Sequence, residues 1–346
     1  MLTRIGRLLF LVAGLCACSI TFSGELTMTN PLLSKSRPWC IGRFVFDRPV
    51  ASEITNQQYE FWGDTLETQH NVSSATYQAK VDTLEREFKT KKRTDPGSKD
   101  NKTFNSWLEK ALSPKTDSRV FAYKKFHSDG AALPFHTEGY IYENRTLFHT
   151  TGSFGSSGLD KFEPVYTDLY RRIKARDNWS VPTESGFCFD GGIATGSSTY
   201  TEEVSQSIAL MPGRPALLVI KMRDSVNADQ KESLTKTLPA LRAQMDRVSS
   251  GSYRILRQGK RTVAGMDAEE VLFALKEGEI TSYRFYLLAP GDPSTLAKPH
   301  TAIQLLLGAS SPDLKPDEAT SPVDEAGALQ TWETLLNSLR LRPGAV

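Results

Sequence analysis

CIGRFVFDRP (residues 40–49) and GFCFDGGIA (residues 186–194) each place a cysteine in a short, mostly apolar run. In the first, Phe44 and Phe46 alternate with their neighbours, the period-2 pattern of a half-buried strand. The second breaks at paired glycines. The segments downstream of the two runs are alike. After Cys40, Tyr77, Val81, Leu84 and Phe88 fall on one helical face. Strands are expected over RVFAYKKF (119–126) and, as a hairpin turning at Glu143-Asn144-Arg145, over GYIYENRTLFHTTG (139–152). A helix with the face Phe162, Tyr166, Leu169 and Ile173 closes this half.

After Cys188 the order recurs. VSQSIALM and PALLVIKM (204–222) read as strands. Leu234, Leu238, Leu241 and Met245 repeat the helical spacing, with Pro239 predicted to kink that helix or start it. SYRILRQGKR, AEEVLFALKEGEITSYRFYLLAP and HTAIQLLLGA supply further strands. Leu329, Trp332, Leu336 and Leu339 close the second half with a helix. This order predicts an α+β protein of two similar domains, each an antiparallel sheet with helices packed on one face. The boundary is expected in the polar stretch RDNWSVPTESG (176–186), separating a domain over 37–178 from one over 185–346. Two charged, proline-containing stretches, 90–104 and 309–327, read as solvent loops and as candidate contact arms.

The amino terminus carries Arg4 and Arg7 ahead of LLFLVAGLCA (8–17), a positive tip and a short apolar run. That is the form of a secretory signal, too short to span a bilayer. Leu15-Cys16-Ala17-Cys18 resembles a bacterial lipobox. The expectation is a signal peptide over 1–17, acylation at Cys18 and a lipidated tether over 18–36. Ser19 then favours the outer membrane, with the folded part in the periplasm. The alternative is ordinary cleavage nearby and a soluble periplasmic protein. In an oxidising compartment Cys40 and Cys188 are either a disulfide or two buried thiols.

The chain holds 42 Lys and Arg against 40 Asp and Glu. Loss of Arg4 and Arg7 with the signal leaves the mature chain neutral, which argues against a nucleic-acid partner. The histidines, His70, His127, His136, His149 and His300, show no metal-binding spacing. Convergence of His127, His136 and His149 from successive strands is the weaker reading beside ordinary surface or hydrogen-bonded roles. GSFGSSG (152–158) lacks the lysine of a phosphate loop and the spacing of a hydrolase elbow. Ser156 or Ser157 is accordingly read as a helix-entry loop residue, and Asp190, ahead of paired glycines, has no histidine near it in sequence; a hydrolase built on Ser156 or Asp190 is the weakest reading. No catalytic residue, metal site or cofactor is assigned.

CIGRFVFDRP, FCFDGG and GRPALLVIKMR (213–223) together resemble one family over roughly Trp39 to Arg340. It is the immunity proteins that protect Gram-negative bacteria from the class-4 lipase effector of the type VI secretion system. The resemblance implies two α+β domains in the periplasm and no enzymatic activity. It also implies a cognate phospholipase partner whose active site is blocked. It names no interface residue. Trp62, Trp107 and Trp179 sit on predicted loops and are candidate anchors and candidate core residues alike. The competing reading is an envelope lipoprotein acting as an assembly factor or small-ligand carrier.

Overall fold

The computed structural model describes residues 30–96, 102–127, 132–196, 201–249, 252–309 and 313–346. Cys18, the signal peptide and the tether up to residue 29 lie outside the described residues. Among the described residues no helix is long and apolar enough to cross a membrane.

The first half opens with the hairpin β1 (Ser36–Ile41) and β2 (Phe44–Pro49). Then come β3 (Glu53–Phe61), β4 (Asp64–Gln69) and the helix α1 (Ser74–Thr90), capped by the Ser73 hydroxyl on the Thr76 amide. A small hairpin of β5 (Lys92–Pro96) and β6 (Lys102–Ser106) precedes β7 (Leu108–Leu112), β8 (Ser118–Tyr123), β9 (Phe135–Glu143) and β10 (Thr146–Phe154). The half ends with α2 (Phe162–Arg172) and the short β11 (Ile173–Ala175).

The second half runs through β12 (Gly186–Phe189), β13 (Gly192–Thr195), β14 (Glu202–Ala209) and β15 (Ala216–Arg223). Next are α3 (Leu234–Ser249), β16 (Tyr253–Val263), β17 (Met266–Glu277), β18 (Ile280–Ala289) and β19 (His300–Leu307). It closes with α4 (Pro316–Ala319), α5 (Glu325–Ser338) and β20 (Arg340–Leu341). The helical faces and the hairpin at Asn144-Arg145 thus fall where the spacing puts them. The helix α3 starts at Leu234 and carries Pro239 inside it. The 90–104 stretch differs from the solvent loop expected. Its described residues form β5 and the start of β6, because Arg93 and Asp95 turn inward to pair with each other and give the hairpin a polar inner face.

The main sheet has twelve antiparallel strands in the order β16-β17-β18-β19-β15-β14-β3-β4-β10-β9-β8-β7. Outward from the β14·β3 pair, the two sides match strand for strand. The order β3, β4, β10, β9, β8, β7 is mirrored by β14, β15, β19, β18, β17, β16. A pseudo-twofold axis therefore passes through the central pair, where Val204 faces Tyr59 and Gln206 faces Gln57. The α+β class and the antiparallel sheets agree with the sequence pattern, but the sheets of the two halves are joined edge to edge.

Helix placement also differs from the single covered face expected. In β8, Val120 and Ala122 enter the large core with α2, while Phe121 and Tyr123 join a separate cluster under α1. In β17, Leu272 and Ala274 face the core of α5, while Val271, Phe273 and Leu275 face α3. Successive strand residues point to opposite faces, so each half carries helices on both. A strand buried on both sides must read as a continuous apolar run, which VLFAL does.

Two three-stranded sheets complete the structure, β1-β2-β20 and β11-β13-β12. Here the halves exchange parts. β11 leaves α2 of the first half and pairs with β13 of the second. β20 leaves α5 of the second half and pairs with β2 of the first. Each opening hairpin is completed by the closing strand of the other half. A cut within 176–186 would separate each hairpin from its third strand.

Candidate functional site

The equivalent positions of the two halves meet at this exchange. Cys40 and Cys188 are joined in a disulfide, with Cα atoms 5.9 Å apart. Gly42 and Cys188 exchange backbone hydrogen bonds of 3.0 and 2.7 Å across the pseudo-axis. Immediately after each closing strand stands an arginine. Arg176 donates to the carbonyls of Asn178, Ser180, Phe189 and Gly192. Arg342, almost wholly buried, donates to those of Pro182, Glu184 and Gly186. Burial pushes Arg176 down to about 10 and lowers Arg342 as well. Both guanidiniums gather the carbonyls of the segment expected to be a linker, so residues 176–186 are held against the body.

A chain of polar side chains crosses the seam. Trp39 Nε1 donates to Gln206 (3.2 Å), Gln206 Nε2 to the Tyr59 hydroxyl (2.6 Å), and that hydroxyl to Gln57 Oε1 (2.9 Å). Gln57 Nε2 then donates to Asp190 at 3.0 Å. Asp190 also accepts from Asn178 at 2.6 Å and lies 3.0 Å from His70 Nε2. Asp190 is thus a clamp between the second half's hairpin turn and strands β3 and β4, and its oxygens are occupied by these partners. Buried polar groups satisfied in series fix one docking geometry of the halves.

Beside this chain lies a cleft shared by both halves. Its floor holds the buried pair Arg43–Glu202, with Nε–Oε2 at 2.8 Å and Nη2–Oε1 at 2.5 Å. Gly42, Phe44, Phe187, Val204 and Met222 line a small space of about 20 Å³ around it. Asp224 and Leu296 connect it to an outer cavity of about 550 Å³, lined also by Trp62, Val226 and Pro293. Burial, with the neighbouring Glu202 charge, pushes Asp224 up to about 6.

Trp62 occupies the two-residue turn between β3 and β4 with φ of +62°, followed by Gly63 at +80°. That turn type favours Asn-Gly, and a bulky residue there stores on the order of 1 kcal/mol. Its backbone amide donates to Thr201 O across the seam at 2.8 Å. A strained, half-buried tryptophan on a cleft rim is a candidate anchor on physical grounds. The other two tryptophans read from the sequence differ. Trp179 packs edge-on to Trp39 at 4.9 Å between Arg37 and Arg48. Trp107 lies under Lys91 and Lys125.

The remaining residues singled out in the sequence do not converge. Ser156 and Ser157 form a 3-10 turn ahead of α2. His136 Nδ1 meets Ser153 at 3.0 Å, His149 sits between Glu67 and Glu138 at 3.2 Å each, and His127 is 3.5 Å from Asp95. Asp229, Glu232 and His300 bring their ligand atoms within 4.8 Å of one another. Arg223 already grips Asp229 in a bidentate pair at 2.8 and 2.7 Å, which makes the group an ion-pair network.

The architecture is that of a two-lobed α+β protein with a cleft on the seam between the lobes. The sequence model of the Tle cognate immunity protein 4 C-terminal domain matches residues 180–344, and that of the N-terminal domain matches residues 37–165. The chain belongs to the Tle cognate immunity protein 4 family. Among curated proteins no sequence relative matches. Solved structures share the fold. The apo immunity protein TplEi of the type VI secretion system from Pseudomonas aeruginosa is 20% identical with a TM-score of 0.74, covering 90% of this chain and 98% of that one. The Tle4-Tli4 complex matches at 22% identity and a TM-score of 0.76, covering 90% and 99%. TplEi complexed with an "L" peptide matches at 20% and 0.69, covering 90% and 99%.

Proposed function

We propose that this immunity protein binds a cognate type VI secretion lipase effector in the periplasm and occludes it, protecting the producing cell, without being an enzyme itself. The observation that carries the reading is the match of both family domains in order. It is supported by the likeness to the partner-bound Tle4-Tli4 structure over 90% of the chain. The seam supplies a surface suited to the task. Trp62 of the first half closes a cavity that the second half otherwise walls, Val226 and Pro293 among its lining. A partner seated there depends on the integrity of the whole chain. Acylation at Cys18 and tethering to the outer membrane complete the proposal, and would concentrate the inhibitor where a lipase acts.

Titration of the cognate lipase with the mature chain tests this. Activity should fall to zero near one equivalent, because occlusion consumes one inhibitor per enzyme. Lipase activity that persists at excess inhibitor, or hydrolysis by the mature chain itself that is lost in Ser156→Ala, would overturn the reading. Mass spectrometry of the mature amino terminus tests the anchor: an unmodified residue, or any start other than acylated Cys18, removes it.

A further inference from the structure

Among the described residues both strongly exposed phenylalanines, Phe104 at 70% and Phe126 at 62%, lie at one corner of the first half, with Leu133 at 54%. The segments that carry them are tied together. Arg93 of β5 donates to Lys124 O at 3.4 Å, and Asp95 of β5 lies 3.5 Å from His127. Lys124 Nζ stands over the Phe135 ring at 5.5 Å. The β5–β6 hairpin has two different faces. Arg93, Asp95 and Asn105 are bonded to one another on the inner one. The register Lys92↔Ser106, Thr94↔Phe104 and Pro96↔Lys102 puts Lys92, Lys102 and Phe104 together on the outer one.

Lys92, Lys102, Lys124 and Lys125 surround this corner, and none has a carboxylate within ion-pair distance among the described residues. The nearby acids are already used: Glu87 by Lys91, and Asp95 and Glu109 by Arg93. Among the described residues the corner is therefore net positive, with aromatic side chains standing out of it.

We propose that this corner is a membrane-contact surface that docks on an anionic phospholipid bilayer, with Phe104, Phe126 and Leu133 entering the headgroup region and the four lysines facing the lipid charges. Its chemistry favours lipid over a protein partner. Protein interfaces are enriched in arginine and depleted of lysine, whereas here the local arginine is spent internally and the cations without a carboxylate partner among the described residues are all lysine. Apolar side chains ringed by flexible lysines are the chemistry of interfacial binding. Each such lysine near an anionic surface contributes on the order of 1 kcal/mol, so four give a partition difference of order 10²–10³ between charged and neutral bilayers. The contact is independent of acylation and of the seam cleft.

The test uses the mature chain from residue 19 onward, so that neither the apolar signal nor an acyl group supplies attachment. Sedimentation with phosphatidylglycerol–phosphatidylcholine vesicles should exceed that with phosphatidylcholine alone, and should fall as salt is raised. The variant with Lys92, Lys102, Lys124 and Lys125 all changed to Gln should lose about a hundredfold or more in partitioning. Phe104→Ser with Phe126→Ser should lose about tenfold while keeping the salt dependence. Sedimentation indifferent to lipid charge and salt overturns the proposal for the parent chain itself, whatever the variants do. Unchanged partitioning in folded variants overturns it as well. Lipase inhibition should be the same in all variants. If these substitutions abolish inhibition and leave sedimentation intact, the corner is a protein interface instead.

Discussion

Each half buries one carboxylate beneath its closing helix, and the two are handled oppositely. In the second half Glu270 meets Arg257 at 2.6 Å, Arg261 at 2.9 Å and Trp332 Nε1 of α5 at 2.9 Å. In the first half Asp64 meets only the Tyr166 hydroxyl of α2, Oδ1 at 3.1 Å, and its Oδ2 has no partner. Burial therefore pushes Asp64 up to about 7, a shift that the Tyr166 bond opposes and the Glu60 charge adds to. The comparison teaches that pseudo-symmetry is kept in the backbone and not in the electrostatics. One lobe holds a neutralised ion network. The other holds a carboxyl that burial shifts toward the acid form.

The largest expected effect concerns the exchange that both lobes share. Residues 37–178 and 185–346, expressed separately, should lack cooperative unfolding transitions, because each retains a closing strand whose partner is missing. A sharp calorimetric transition in either piece alone would show that the lobes are independent and would restore the linker reading of 176–186. Next comes the disulfide. Cys188→Ala opens a loop of 148 residues and should cost about 4–5 kcal/mol on chain-entropy grounds, read as a lower denaturant midpoint.

The two carboxylates should then move in opposite directions. The folded pKa of Asp64 lies above its unfolded value, so the folded state holds the extra proton. Stability should fall as pH rises from about 4 to about 7 and stay low beyond. Asp64→Asn removes that loss and should stabilise the protein by about 4 kcal/mol above pH 7, with little effect near pH 4. Glu270→Gln leaves Glu333 as the one carboxylate shared by Arg257 and Arg261 and should destabilise by about 1–2 kcal/mol. If both variants shift the thermal midpoint in the same direction at pH 8, the contrast between the lobes is wrong. The smallest effect on stability is at Trp62. Trp62→Asn relieves the left-handed turn but loses packing against the core, so stability should change by about 1 kcal/mol or less while lipase inhibition weakens at least tenfold. Unchanged inhibition would remove Trp62 from the interface.

Much of the fold was legible because periodicity reports local burial. Tyr77, Val81 and Phe88 lie on one buried face of α1, as Phe162, Tyr166 and Leu169 do on α2. The repeated order around Cys40 and Cys188 foretold the paired lobes. The exchange was not legible, because β11 and β20 are three and two residues long and carry no alternation to read. Asp64 was invisible for a related reason. In WGDT it looks like a turn acid, and only the packing of β10 closes over it. A Cβ at Gly152 would come within 1.9 Å of Asp64 Oδ1, so that glycine leaves room for the carboxyl. The seam cleft needed tertiary structure, since its walls come from residues 42–44, 62, 187 and 201–226 together with 292–299. The signal in reach was Trp62 next to Gly63, an odd residue for so tight a turn.

The pairing of β20 with β2 bears on biosynthesis. Phe44 waits for Leu341, and Arg43 waits for the backbone of Ala345, 302 residues later in the chain. Native closure of the first lobe therefore cannot precede synthesis of the 340–345 segment. Long-range pairing of this kind folds slowly. A polypeptide whose first lobe stays open until that segment arrives remains threadable until then.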